Sequence, residues 1–169
     1  EAIVMAPVDK FITYTETMRE VTHIPIRHLD RDSVNPIQDL RLLLELMRLY
    51  KKHKPDLILH YTVKPNIYGG LAARLLGIPS VGVITGLGYS LMHEGWINVI
   101  TRLLYKFFLP FHRKVIFENT DDKALFEKAG LVSASKSVAI KGCGVDTTYY
   151  SPNGVVRSLE IITFTFIGR

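Results

Sequence analysis

The chain has 169 residues, 21 lysines and arginines against 16 aspartates and glutamates, and 47% apolar residues. That balance excludes a disordered chain and predicts a single domain with a substantial core. One cysteine, Cys143, excludes an intrachain disulfide and fits a reducing compartment.

The elements alternate along the chain. Residues 1–6 read as a buried strand stopped by Pro7 and Asp9, residues 10–20 as a weak polar stretch or short helix, and 21–26 as a second strand. Asn35-Pro36 opens the clearest helix, with Gln38 three residues after the cap. Ile37, Leu40, Leu43, Leu44, Met47 and Tyr50 recur at helical spacing and are expected to face the core. Lys51, Lys52, His53 and Lys54 suit its carboxyl end, and Pro55 stops it. Strands follow at 57–61, 80–84, 114–117 and 137–140, with helices at 66–76, 96–111 and 121–129 between them. Residues 153–160 read as a linker and 161–169 as a last strand running into Gly168-Arg169. A chain that opens and closes inside strands is expected to continue on both sides. No apolar run approaches the roughly 20 residues that span a bilayer.

Alternating strand and helix predicts a parallel α/β sheet with helices on both faces, of Rossmann-like kind. In such sheets ligands bind beyond the carboxyl ends of the strands. The loops at 60–66, 85–89, 118–120 and 141–146 should therefore share one edge. They contribute His60, Thr62, Lys64, Asn66, Thr85, Gly86, Gly88, Tyr89 and Asn119 as candidate cleft residues, and Gly142, Gly144 and Asp146 as candidate hinge or cleft residues.

Each carries two readings. His60, at a strand end, is either a core histidine satisfied by its neighbours or a site residue. Lys64 lies just ahead of a helix start, where a cation and backbone N–H groups suit an anion such as phosphate; otherwise it is a solvated lysine. Tyr89 either stacks on a sugar ring or covers the sheet edge. The two G-x-G segments, at Gly86 and Gly142, lack the third small residue of a dinucleotide fingerprint and read as tight turns. The histidines have no H-x-x-x-H pair and Cys143 has no C-x-x-C partner, so no metal site is expected. No dense basic stripe points to nucleic acid. From Gly95 to Phe117 there is no acid, against Arg102, Lys106, Arg113 and Lys114, with Trp96 and Phe107 among many apolar neighbours. That composition suits either an anionic membrane surface or a helix with one face on the sheet and basic residues on the other.

HYTVKPNIYGGLAARLLGIPSVGVITGLGYSL, KVIFENTDDKALFEKAGLV, KGCGVDTTYYSP and FTFIGR resemble the acceptor-side domain of glycosyltransferase family 4, the bacterial capsule and O-antigen enzymes above all. The resemblance implies a GT-B architecture of two Rossmann-like domains, with residues 1–152 in the first, a strand and helix preceding Glu1, and 161–169 as the first strand of the second. It implies retaining transfer from a nucleotide-sugar, commonly a UDP-sugar, to a lipid-linked (polyprenyl-diphosphate) saccharide on the inner face of the plasma membrane, with no metal or other cofactor. Arg169 matches the arginine that helps hold the donor diphosphate. Gly86 stands where many members carry a histidine near the reacting sugar, so that role is unfilled here. The catalytic residues are not assigned, and this chain by itself is expected to be inactive. Two alternatives stay open: a non-hydrolysing UDP-sugar epimerase of the same architecture, and a non-catalytic membrane- or sugar-binding module.

Overall fold

The computed structural model describes residues 2–8, 21–30, 33–88, 91, 95–142 and 144–151. Six parallel strands form two sheets. β1 (Ala2–Ala6) pairs with β2 (Val21–Pro25), in register from Ala2↔Val21 to Ala6↔Pro25. β3 (Ile58–Tyr61), β4 (Ser80–Ile84), β5 (Lys114–Phe117) and β6 (Ser137–Ala139) form a second sheet in that order. Among the described residues no ladder joins β1 to β3, although one continuous sheet was the simpler expectation. The short helix read at 10–20, the linker and the last strand lie outside the described residues.

α1 (Pro36–His53) starts as its sequence requires: the Asn35 side chain accepts from the Ile37 N–H and Pro36 opens the first turn. Gln38 does not close a capping box; it accepts from the Ser33 hydroxyl. Lys54 ends the helix in a left-handed conformation, its N–H on the Tyr50 carbonyl. The inward face differs from the expected one. Leu42, Leu46 and Tyr50 are buried, whereas Ile37, Leu40 and Leu44 are exposed. Leucines ring this helix almost completely, so spacing alone did not decide which stripe faced inward.

After β3 the chain does not enter a plain helix at Asn66. A π-helical turn, Pro65–Gly69, leads into the short α2 (Gly70–Leu75). α3 (Trp96–Phe108) ends in a 3₁₀ turn, Leu109–Phe111, around Pro110. α4 (Thr120–Lys128) follows β5.

The packing shows which face these helices cover. Tyr50 of α1 reaches His60 of β3. A Cβ on Gly82 would point at Asn66 and His112, and one on Gly69 at His60. His60 pairs with Gly82, and Gly82 with Val115. Tyr105 of α3 and Phe126 of α4 share a cluster with Ile84, Val115 and Phe117. Side chains alternate along strands, so α1 to α4 all pack against the face that carries His60, Gly82 and Val115. A second cluster joins Leu42, Leu46 and Tyr50 to Ile26, with Met5 of β1 and Ile58 of β3 against it. α1 therefore spans both sheets.

Candidate functional site

Because β3 to β6 are parallel neighbours, the segments that follow them leave the sheet at one edge. Between the first two lies a cavity of about 220 Å³, lined by Thr62, Val63, Val83, Ile84, Thr85, Gly86, Gly88 and Tyr105. Thr62, Thr85, Gly86 and Gly88, expected here from sequence, are thus brought together. Tyr89 and Arg169 lie outside the described residues.

Thr62 adopts φ 67°. A β-branched residue in this left-handed region costs about 1–2 kcal/mol, so something must hold it. That something is Asn66. Its side-chain amide donates to the Thr62 carbonyl at 2.7 Å and to the Val83 carbonyl at 2.9 Å. One buried group thereby ties together the ends of β3 and β4, the two walls of the cavity.

Asn66 was expected in the cleft, and His60 either there or in the core. The structure places both beneath the cleft surface: Asn66 is 0% and His60 2% exposed. His60 Nε2 meets the Tyr50 hydroxyl at 2.8 Å, while its Nδ1 has no partner. Burial, and secondarily the neighbouring His112 ring, push its pKa down to about 3. Burial also lowers His112, which donates from Nε2 to the Asn66 carbonyl and takes the Ser80 hydroxyl at Nδ1. Both rings are neutral at physiological pH. Their place is possible because Gly69, Gly70 and Gly82 have no side chain: a Cβ there would come within 2.5–2.8 Å of His60, His112 and Asn66 Oδ1. His112 was not anticipated as part of this network. Its partners lie 32 and 46 residues away in sequence, which no local pattern reveals.

Lys64, expected to offer a cation to an anion, is committed elsewhere. Its ammonium pairs with Asp39 at 2.7 Å and the side chain is only 12% exposed. Tyr68 donates to the other Asp39 oxygen, and burial pushes its phenol up, with the Asp39 contact adding to it. This cluster fastens the π-helical turn to α1. Asn119 spends both ends of its amide on Asp122, capping α4. Asp146 accepts from the Thr148 and Tyr149 N–H groups, which hold its carboxyl below the usual range. Gly142 and Gly144 flank that turn at positive φ.

Of the expected membrane residues, Trp96, Lys106 and Phe107 lie exposed on α3, with Arg102 half-buried. Arg113 and Lys114 do not continue the helix. Arg113 precedes β5 and Lys114 opens it, at the opposite edge of the sheet from the cavity, and the Lys114 ammonium bonds the Ser135 carbonyl. Among the described residues no helix is long and apolar enough to cross a membrane.

This geometry has known counterparts. The chain is 27% identical over 158 residues to the Campylobacter jejuni N,N'-diacetylbacillosaminyl-diphospho-undecaprenol alpha-1,3-N-acetylgalactosaminyltransferase, covering 90% of this chain and 41% of that protein. It is 27% identical over 121 residues to the Escherichia coli UDP-Gal:alpha-D-GlcNAc-diphosphoundecaprenol alpha-1,3-galactosyltransferase, covering 71% of this chain and 31% of that one. The chain thus spans less than half the length of these relatives. Among solved structures, Anabaena Alr3699/HepE in complex with UDP and glucose superposes with a TM-score of 0.65 at 19% identity, over 89% of this chain and 39% of that one. Acinetobacter baumannii MurG gives 0.51 at 19% identity, over 86% and 37%. At that identity these two neighbours establish the fold. Residues 12–119 match the family described as Glycosyl transferase 4-like, and the chain belongs to that family.

Proposed function

We propose that this chain is the acceptor-side part of a retaining glycosyltransferase. The whole protein moves a sugar from a UDP-sugar to a polyprenyl-diphosphate-linked saccharide during capsule or O-antigen assembly. The observation that carries the reading is the cavity at the carboxyl edge of β3 and β4, its walls clasped by Asn66, in a chain whose two curated relatives are both named for diphospho-undecaprenol substrates. Thr62 and Thr85 supply hydroxyls, and the Gly86–Gly88 turn lets backbone approach a sugar closely. Arg169 and the segment 161–169 belong, on this reading, to the donor half, which supplies most of the contacts to the diphosphate. Transfer requires no metal.

The divided sheet supports the same domain plan. β1 and β3 both pack under α1 yet belong to separate ladders. A parallel strand preceding Glu1 would sit between them and complete the 3-2-1-4-5-6 order of doubly wound sheets.

The finer partner reading is an anionic membrane surface. Trp96, Val99, Ile100, Leu103 and Phe107 fall on one stripe of α3, with Trp96 63% and Phe107 67% exposed. Lys106 and Arg102 lie along one side of the stripe and no acid interrupts it. An exposed apolar stripe bordered by cations suits the headgroup boundary of an anionic leaflet. On this reading the protein works at the inner face of the plasma membrane, beside its lipid-linked acceptor.

The test is transfer by the full-length protein from a panel of labelled UDP-sugars to synthetic polyprenyl-diphosphate-linked sugars. Product formed only with the lipid-linked acceptor is expected. Conversion of the UDP-sugar without any acceptor would indicate an epimerase instead, and no conversion under any pairing would indicate a binding module.

A further inference from the structure

Building on the membrane reading of α3, we infer that α1 is a second lipid-facing helix, so that α1 and α3 together rest on an anionic bilayer.

The outward surface of α1 is unusual for a helix that meets water. Ile37, Leu40 and Leu44 are exposed in its first half, Ile37 at 64%. Arg41, Arg48, Lys51 and Lys52 are exposed beyond and between them. At 100° per residue these seven positions fall within an arc of about 120°. The helix has two carboxylates, and neither falls in that arc: Asp39 lies on the far side and Glu45 just past the edge. Asp39 accepts from the Lys64 ammonium and the Tyr68 hydroxyl. Glu45 accepts from the Arg27 and His28 N–H groups and the His28 ring. What remains outward is apolar and cationic only.

Solvated helix faces mix charges of both signs, and the buried centre of a protein interface is depleted of charged residues. A surface of anionic headgroups over acyl chains matches both halves of this arc. The placement agrees. α1 and α3 pack on the same face of the sheet, and the π-helical turn Pro65–Gly69 contacts both. Their outer arcs therefore look away from the sheet on the same side. Arg74 and Leu75 of α2, which packs beside α1, are exposed as well.

The test uses the full-length protein and phosphatidylcholine vesicles with and without phosphatidylglycerol. The variant Arg41→Gln/Arg48→Gln/Lys51→Gln/Lys52→Gln keeps good helix formers and removes four cations. At about 1 kcal/mol per cation near an anionic surface, its partitioning onto the anionic vesicles should fall on the order of a thousand-fold, with an unchanged circular dichroism spectrum. In a Trp96→Phe background, the emission that Leu44→Trp adds over that background should be quenched by brominated lipid. Two results would overturn the inference and leave the reading of α3 standing: parent-like binding by the quadruple variant while Lys106→Gln with Trp96→Ala abolishes it, or a Leu44→Trp emission already blue-shifted without vesicles and unquenched by them, showing that another part of the protein covers α1. A parent protein that binds neither vesicle would remove the membrane reading itself, whereas transfer to a detergent-soluble short-chain acceptor tests the catalytic reading separately.

Discussion

Acidification should destabilise this protein from about pH 6.5 downward. His60 is buried against Tyr50 and His112, and its pKa falls from the usual value near 6.5 to about 3. The folded state therefore resists a proton that the unfolded chain accepts. Between those two values the unfolded state binds more protons, so stability decreases as pH falls. The slope is about 1.4 kcal/mol per pH unit for this one group. From pH 7 to pH 4.5 the loss from His60 is thus ~3 kcal/mol, and His112, lowered for the same reason, adds in the same direction. Against a typical total of roughly 5–15 kcal/mol, that is a large fraction. Glu45, Glu127 and Asp146 are lowered too. Carboxylates held below their usual values lose stability only at still lower pH, so the window from pH 6.5 to 4.5 belongs to the histidines. Urea midpoints measured across that window should fall steadily at constant m-value. His60→Gln keeps a polar group for Tyr50 but removes the titration, and should flatten the dependence, leaving the share of His112. A midpoint independent of pH down to 4.5, or an undiminished slope in His60→Gln, would refute the reasoning.

Gly82→Ala should destabilise by about 1–3 kcal/mol, because its Cβ would lie 2.7 Å from Asn66 Oδ1 and 3.1 Å from the His112 ring; thermal unfolding reads this, and the same change at Gly77, where nothing lies within 4 Å, lacks the clash and is limited to the strain of its positive φ. Thr62→Gly should raise stability by about 0.5–1 kcal/mol by relieving the left-handed backbone at φ 67°, yet lower the rate of sugar transfer by the full-length protein as a cavity hydroxyl is lost. Trp96, the one tryptophan of these 169 residues, should shift its emission to the blue on anionic vesicles and not on neutral ones. Chelation with EDTA should leave transfer by the full-length protein unchanged.

Much of the architecture was readable because its signals are local. Asn35-Pro36 starts α1, the apolar runs at 80–84 and 114–117 are β4 and β5, and Pro110 ends α3 within three residues of the expected place. The rim itself followed from strand–helix alternation alone, and Thr62, Thr85, Gly86 and Gly88 do line one cavity. What escaped was decided by partners far away in sequence. Lys64 looked like a free cation because Asp39, 25 residues earlier, gives no sign of facing it. Asn66 looked like a surface residue at a helix start, but the π-helical turn rotates it inward onto two carbonyls. The inward stripe of α1 was misassigned because its leucines at 40, 42, 43, 44 and 46 fit more than one face.

The costs in this domain are concentrated beneath the rim. Thr62 holds a left-handed backbone. Asn66 Oδ1 and His60 Nδ1 are buried without partners, and each such atom costs about 1–3 kcal/mol. Three glycines are needed to admit the polar side chains at all. An apolar filling of the same space would avoid every one of these terms. It would also leave the Thr62 and Val83 carbonyls without the donor that fixes them, and the walls of the cavity would then be set only by loop entropy. Strain that survives in a core is over-determined by its surroundings, and it gathers where geometry matters for function. Among the described residues it lies directly under the wall that faces the cavity, the left-handed cap Lys54 of α1 apart. The rim is therefore the part of this domain whose shape is held most firmly, and the helical layer the part whose surface chemistry is left free to meet a partner.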